Sequence, residues 1–239
     1  MPYLMGGHPD LETSGACIDA AVEAGADLLE LGIPFSDPLA DGPIIHAAGT
    51  QALAAGVKPG DALRLCERVA ERLPVLLMVY ANLVLAHGGG DFVTRAREAG
   101  AAGLIVPDLP HDEADSLREA CDAAGLALVP LVAPTTPPER LKAIGADARG
   151  FVYAVSLTGT TGERDELPPG LADLVERVRA SAELPVAVGF GIATEEQARR
   201  VGELADGVIV GSRVVRAAGE HGADGVREVV AGLARALSV

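Results

Sequence analysis

Three stretches of the chain repeat one plan: Glu23–Pro34 (EAGADLLELGIP), Glu98–Pro110 (EAGAAGLIVPDLP) and Asp122–Pro134 (DAAGLALVPLVAP). Each reads as a helix end, a glycine, a short apolar run and a proline loop. Glycine just past a helix supplies the left-handed residue that ends it. An apolar run without in/out alternation suits a strand covered on both faces. Followed along the chain, the plan predicts strands over Tyr3–Met5, Asp27–Leu31, Val75–Tyr80, Gly103–Val106, Ala127–Leu131, Gly150–Val155, Pro185–Val188 and Gly207–Val210. Helical patterns fall between and after them at Leu11–Ala24, Pro59–Arg72, Asp91–Ala99, Asp112–Ala124, Pro138–Ile144, Leu171–Ala180, Glu195–Leu204 and Asp224–Leu237. Eight alternating units of about 30 residues predict a (β/α)8 TIM barrel. The rival, an open doubly wound sheet, rarely needs eight units. No linker, charge block or low-complexity tract divides the chain, so residues 1–239 are expected to form one domain.

Composition narrows the function classes. The net charge is -15 and the isoelectric point about 4.7, which disfavours nucleic acid and anionic membranes, since both need a basic face. An anionic small ligand stays possible, because backbone N–H groups at a helix start hold it without net positive charge. Tryptophan is absent and aromatics are 3% of the chain, too few for a base-stacking platform. Cys17, Cys66 and Cys121 form no CxxC pair and read as reduced thiols suited to the cytoplasm. No apolar run approaches the roughly 20 residues of a membrane helix. His8, His46, His87, His111 and His221 have no metal-ligand spacing and read as surface or loop residues, and Asp10 before Leu11 reads as a helix cap.

A barrel places chemistry at strand C-terminal ends and in the loops that follow. Glu30 then ends the second strand, Asp41 sits in the loop after it, Asp108 ends the fourth strand and Tyr153 lies on the sixth. After strand seven comes GFGIAT (Gly189–Thr194), and after strand eight VGSRVV (Val210–Val215). Glycines at these two ends, each opening a helix, match the phosphate site that barrels build from units seven and eight. Gly191, Gly211 and Ser212 are the candidate donors. A third glycine-rich loop, Leu157–Gly170 (LTGTTGERDELPPG), has the length and polarity of a mobile lid, from which Gly162 could add a phosphate contact.

In order, LELGIPFSDPLADGP (Leu29–Pro43), YANLV (Tyr80–Val84), PDLP (Pro107–Pro110), TGTTG and the GFGI and GS pair resemble the α subunit of tryptophan synthase over nearly the whole chain. The resemblance implies a lyase that cleaves indole-3-glycerol phosphate to indole and glyceraldehyde 3-phosphate by a retro-aldol reaction, with no cofactor of its own. Residue by residue, Glu30 matches the general acid/base, Asp41 the second catalytic carboxylate and Tyr153 an active-site tyrosine. Gly162, Gly191, Gly211 and Ser212 match phosphate contacts, and Tyr3, Met78, Ile105, Val132 and Phe190 match the lining of the indole pocket. The family's partner is a β subunit carrying pyridoxal phosphate, joined in an α2β2 heterotetramer, and Pro34, Asp37, Pro38 and Asn82 match its docking surface. Asp108 matches a residue that hydrogen-bonds and holds the Asp41 loop, and reads equally as a plain turn aspartate. Two alternatives remain: a free-standing indole-releasing lyase, and a weakly active scaffold that mainly activates the β subunit.

The proposed chemistry suits these residues. The ring carbon C3 must be protonated, and a carboxyl raised toward neutrality can give that proton and then take one from the glycerol hydroxyl. Leu29, Leu31 and Ile33 are expected to hold Glu30 partly dry. A carboxylate at Asp41 would accept the indole N–H as positive charge develops there. Two departures stand out. The family starts with a helix ahead of the first strand, whereas this chain starts at about the strand itself: either the start is misplaced or truncated, or the barrel lacks that capping helix and is expected to be less stable for it. GGHP (Gly6–Pro9) also replaces the more usual GDP.

Overall fold

The computed structural model describes residues 1–155, 170–189 and 191–238. Among the described residues are nine short parallel strands: β1 (Tyr3–Met5), β2 (Leu29–Gly32), β3 (Val75–Met78), β4 (Gly103–Ile105), β5 (Ala127–Leu128), β6 (Leu131–Val132), β7 (Val152–Val155), β8 (Val186–Gly189) and β9 (Gly207–Val208). They form one sheet ordered β1-β2-β3-β4-β5 and another ordered β6-β7-β8-β9. The two halves are continuous. Val129 N–H donates to the Leu104 carbonyl (2.9 Å), and the Pro130 carbonyl accepts from Tyr153 N–H (3.0 Å). Thus β5 and β6 are one ribbon that pairs first with β4 and then with β7, split at a proline that has no N–H to give. At the far edge Tyr3 N–H donates to the Val210 carbonyl (2.9 Å) and Val210 N–H to the Met1 carbonyl (3.0 Å). Eight strand positions therefore close into the expected ring.

Side chains alternate across this ring. Leu29, Leu31, Ile33, Leu77, Leu104, Val186 and Val188 pack outward into the core shared with the helices. Leu76, Ile105, Val129, Phe151, Tyr153, Ala187 and Ile209 fill the interior. Tyr3, Met5, Ile45, Ala48 and Val215 form a smaller cluster beside it. Asp10 caps the helix Leu11–Glu23, accepting from Thr13 N–H at 2.8 Å, as expected. All three cysteines are buried free thiols.

Several elements differ from the sequence pattern. A helix Pro43–Ala54 follows the second loop, opened by Pro43 at its first turn and buried along Ile45, Ala48, Gly49 and Ala52. A short helix Ala81–Ala86 follows β3. The last helix starts at Ser212 rather than Asp224 and breaks at Gly222 (φ 58°, ψ -143°) on its way to Leu237. His8, expected at the surface, is buried in the loop after β1 between helices Pro43–Ala54 and Ser212–Leu237, where burial pushes its pKa down.

Candidate active site

On β2 the side-chain period of two decides where the acid points. Leu29 and Leu31 face the helices, so Glu30 between them faces the barrel interior. The residues that dry it are therefore not Leu29, Leu31 and Ile33, as the apolar run suggested, but those of the opposite face. Glu30 stands opposite Tyr3 on β1 and Leu76 on β3. It is 2% exposed, and its Oε1 has no hydrogen-bond partner among the described residues. Burial raises its pKa from 4.5 to about 8; the Met1 amino group opposes this and Asp41 adds to it. A carboxyl so placed is a proton reservoir near neutral pH.

Asp41 is held differently. Tyr80 Oη donates to Asp41 Oδ1 at 2.8 Å and accepts from Ala40 N–H at 3.1 Å. Phe35 stacks on the Tyr80 ring at a centroid distance of 5.1 Å. Tyr80 therefore fixes the acidic loop to the end of β3, a role that the YANLV motif did not reveal. Asp108 does not bond that loop directly. Its Oδ1 accepts from Ala81 N–H at 2.8 Å, next to Tyr80, so it braces the brace. Burial raises the Asp41 pKa, against the Tyr80 hydrogen bond and His46.

One cavity of about 420 Å³ brings most of the candidates together. Glu30, Asp41 and Tyr153 line it with Tyr3, Met78, Val132, Gly191, Gly211 and Ser212. Ile105 lies in the interior core and does not line it. Gly162, Phe190 and the rest of the proposed lid, 157–169, fall outside the described residues. Ile45, Leu131, Ile209 and Leu39 also line the cavity; Ile45 was missed because its helix was not recognised.

The two helix starts at the phosphate end are not equivalent. At Glu195–Gly202 the Thr194 hydroxyl accepts from Gln197 N–H (3.2 Å), and Gln197 Oε1 accepts from Ala193 and Thr194 N–H (2.7 and 3.1 Å). Those donors are already used. The helix starting at Ser212 has Gly211 as its cap residue and no side-chain cap, so its first-turn N–H groups are available beside the buried Ser212. Arg213 Nη2 reaches Glu195 Oε1 at 2.8 Å and ties the two starts together. Of the docking candidates, Asp37 and Asn82 are exposed, Pro38 is half-buried and Pro34 is buried.

Residues 1–236 match the family model for the tryptophan synthase alpha chain. The chain belongs to the tryptophan synthase alpha chain family. The alpha chain from Gloeobacter violaceus is 50% identical over 219 residues, covering 90% of this chain and 79% of the relative. That from Synechococcus elongatus is 45% identical over 240 residues, covering 99% and 90%. Among solved structures, a chain of Mycobacterium tuberculosis tryptophan synthase superposes with a TM-score of 0.95 at 40% identity, covering all of this chain and 91% of its own. The tryptophan synthase alpha subunit of Legionella pneumophila gives a TM-score of 0.90 at 36% identity, covering 99% and 91%. The TIM-barrel class read from the repeat is thus the fold of the family. No helix among the described residues is long and apolar enough to cross a membrane.

Proposed function

We propose that this chain cleaves indole-3-glycerol phosphate to indole and glyceraldehyde 3-phosphate in tryptophan biosynthesis, with Glu30 as the group that moves the proton. The observation that carries this assignment is the buried Glu30 carboxyl, its Oε1 without a partner among the described residues, in the same cavity as Asp41, Tyr153 and an uncapped helix start. The phosphate sits on Gly191, Gly211 and Ser212, with Gly162 as a further donor. Protonated Glu30 gives its proton to ring carbon C3. Asp41 accepts the indole N–H, and its negative charge stabilises the positive charge that forms on the ring. Glu30, now a carboxylate, takes the proton of the hydroxyl on the carbon attached to the ring. The carbon–carbon bond then breaks, its electron pair returns to the ring, and an aldehyde is left. Tyr153, which lines the same cavity as Glu30, offers its hydroxyl to this carbon chain. Met78, Val132, Tyr3 and Phe190 supply the apolar walls for the ring.

The chain works as one barrel domain in the cytoplasm, docked on a β subunit through Asp37, Pro38 and Asn82, with Pro34 stiffening the loop from beneath. Leu39 and Leu85, 86% and 71% exposed, give this rim the apolar area that a partner would cover. Turnover of the full chain with and without β subunit tests the assignment. A rise on adding β subunit, lost in Glu30→Gln, is expected. Unchanged turnover in Glu30→Gln removes Glu30 as the proton carrier. Rapid turnover that no β subunit stimulates makes the chain a free-standing lyase.

A further inference from the structure

Two tyrosines that line the cavity with Glu30 are seated in one repeated arrangement. On β1, Tyr3 stands opposite Glu30, and Gly32 lies two residues past that partner. On β7, Tyr153 stands opposite Ala187, and Gly189 lies two residues past that partner. In both places the glycine makes room for the phenol. A Cβ at 189 would lie 2.6 Å from Tyr153 Oη, and one at 32 would overlap Tyr3 Oη, with Tyr3 Cζ at 2.7 Å. Each phenol therefore leans along its neighbour strand toward the strand ends, where the cavity opens, and both tyrosines line that cavity.

A buried tyrosine hydroxyl normally finds a hydrogen-bond partner. Tyr3 is 3% exposed, yet among the described residues its Oη has only the Met5 Sδ, at 3.9 Å. Tyr153 makes no side-chain hydrogen bond to a described residue. Burial, with Glu30 nearby, holds both phenols well above their usual range, so both keep a proton to donate at neutral pH.

We propose that the Tyr3 hydroxyl, in the same cavity as Glu30 and Tyr153, is a second hydrogen-bond donor to the glycerol segment of the substrate rather than only a wall of the indole pocket. The geometry sets which part of the substrate it meets. A Cβ at 211, in the phosphate cradle, would lie 3.7 Å from Tyr3 Cβ. From there the ring runs to Gly32, two residues past Glu30, in the cavity that Asp41 also lines. A substrate with its phosphate at Gly211 and its indole N–H at Asp41 lays its carbon chain along this phenol. When Glu30 takes the proton of the hydroxyl beside the ring, negative charge grows on that oxygen until the C=O forms, and a donor waiting there stabilises it.

This inference rests on the assignment of Glu30 as the acid and base. Its test is Tyr3→Phe in the full chain, assayed with indole-3-glycerol phosphate and with indole-3-propanol phosphate, which lacks both chain hydroxyls. Turnover is expected to fall about tenfold while affinity for the propanol phosphate stays within about twofold. Unchanged turnover, or equal weakening toward both ligands, overturns the proposal. A second readout needs no variant. Tyr3, Tyr80 and Tyr153 are the chain's only tyrosines and it has no tryptophan, so near-ultraviolet tyrosine absorption reports on this cavity. Glycerol 3-phosphate is expected to shift that band and n-propyl phosphate to leave it; the same response to both also overturns the proposal. Loss of turnover in Tyr3→Phe alongside full turnover in Glu30→Gln overturns the acid–base assignment and leaves the Tyr3 contact standing.

Discussion

Replacing Glu30 with glutamine should strengthen the fold while removing the chemistry, and pH separates the two effects. Folding carries this carboxyl from water, where it titrates near 4.5, to a site where it titrates near 8. Between those values the folded chain binds more protons than the unfolded chain, so stability present at low pH is lost as pH rises. At 1.36 kcal/mol per pKa unit, the ionisable side chain costs under about 1 kcal/mol at pH 5, roughly 3 at pH 7 and about 4–5 at pH 9. Glutamine has nearly the same shape and no charge to desolvate. Any cost of burying its amide is independent of pH, so the growth of the gap isolates the carboxyl. Urea unfolding of the parent and Glu30→Gln at pH 5, 7 and 9 should show the variant gaining about 3–4 kcal/mol relative to the parent across that range. The same variant should lose about 10²–10⁴-fold in indole release. A stability difference that does not change with pH would refute the reasoning, because a carboxyl that titrates normally when folded contributes no such slope.

Other consequences follow from the supports of the site. Tyr80→Phe removes the donor to Asp41 and the anchor of Ala40, and turnover should fall about tenfold with little change in affinity for inorganic phosphate; equal losses in both would point to a collapsed cavity instead. Arg213→Ala unties the two helix starts, and a few-fold rise in KM with kcat nearly unchanged is expected, since the pair is partly exposed and worth about 1 kcal/mol or less; a fall in kcat alone would contradict a role in seating the phosphate. Burial pushes the Cys66 and Cys121 thiols up to about 12 and Cys17 to about 11, so a thiol reagent at pH 8 should label none of them in the folded chain and all three in denaturant. Fast labelling without denaturant would contradict the closed helix–strand core.

Most of the barrel was legible because its unit is local. A glycine stop, an apolar strand and a proline loop recur, and each is set by neighbouring residues. What escaped depends on distant parts meeting. The split at Pro130 shows only when the ribbon is seen to change partners from β4 to β7. The helix Pro43–Ala54 is rich in alanine and carries little amphipathic pattern, so its burial against Met5 and the last helix decides it. The acidic residues were found by position after a strand. Their environment was misread for Glu30, since its sequence neighbours occupy the other face of the sheet. Tyr80 was overlooked because its hydroxyl bonds residues about 40 positions away. The phosphate end was legible as two glycine turns, but which helix start remains open to an anion depends on the Thr194 and Gln197 side chains.

The central claim concerns the protonation of one side chain, and it can be observed directly. In a full chain labelled with carboxyl-¹³C glutamate, the resonance missing from Glu30→Gln identifies Glu30, and its shift can be followed with pH. A midpoint near 8 is expected from its burial in the barrel interior. A midpoint near 4.5, that of a solvated glutamate, would contradict the claim that this acid holds a proton ready at neutral pH.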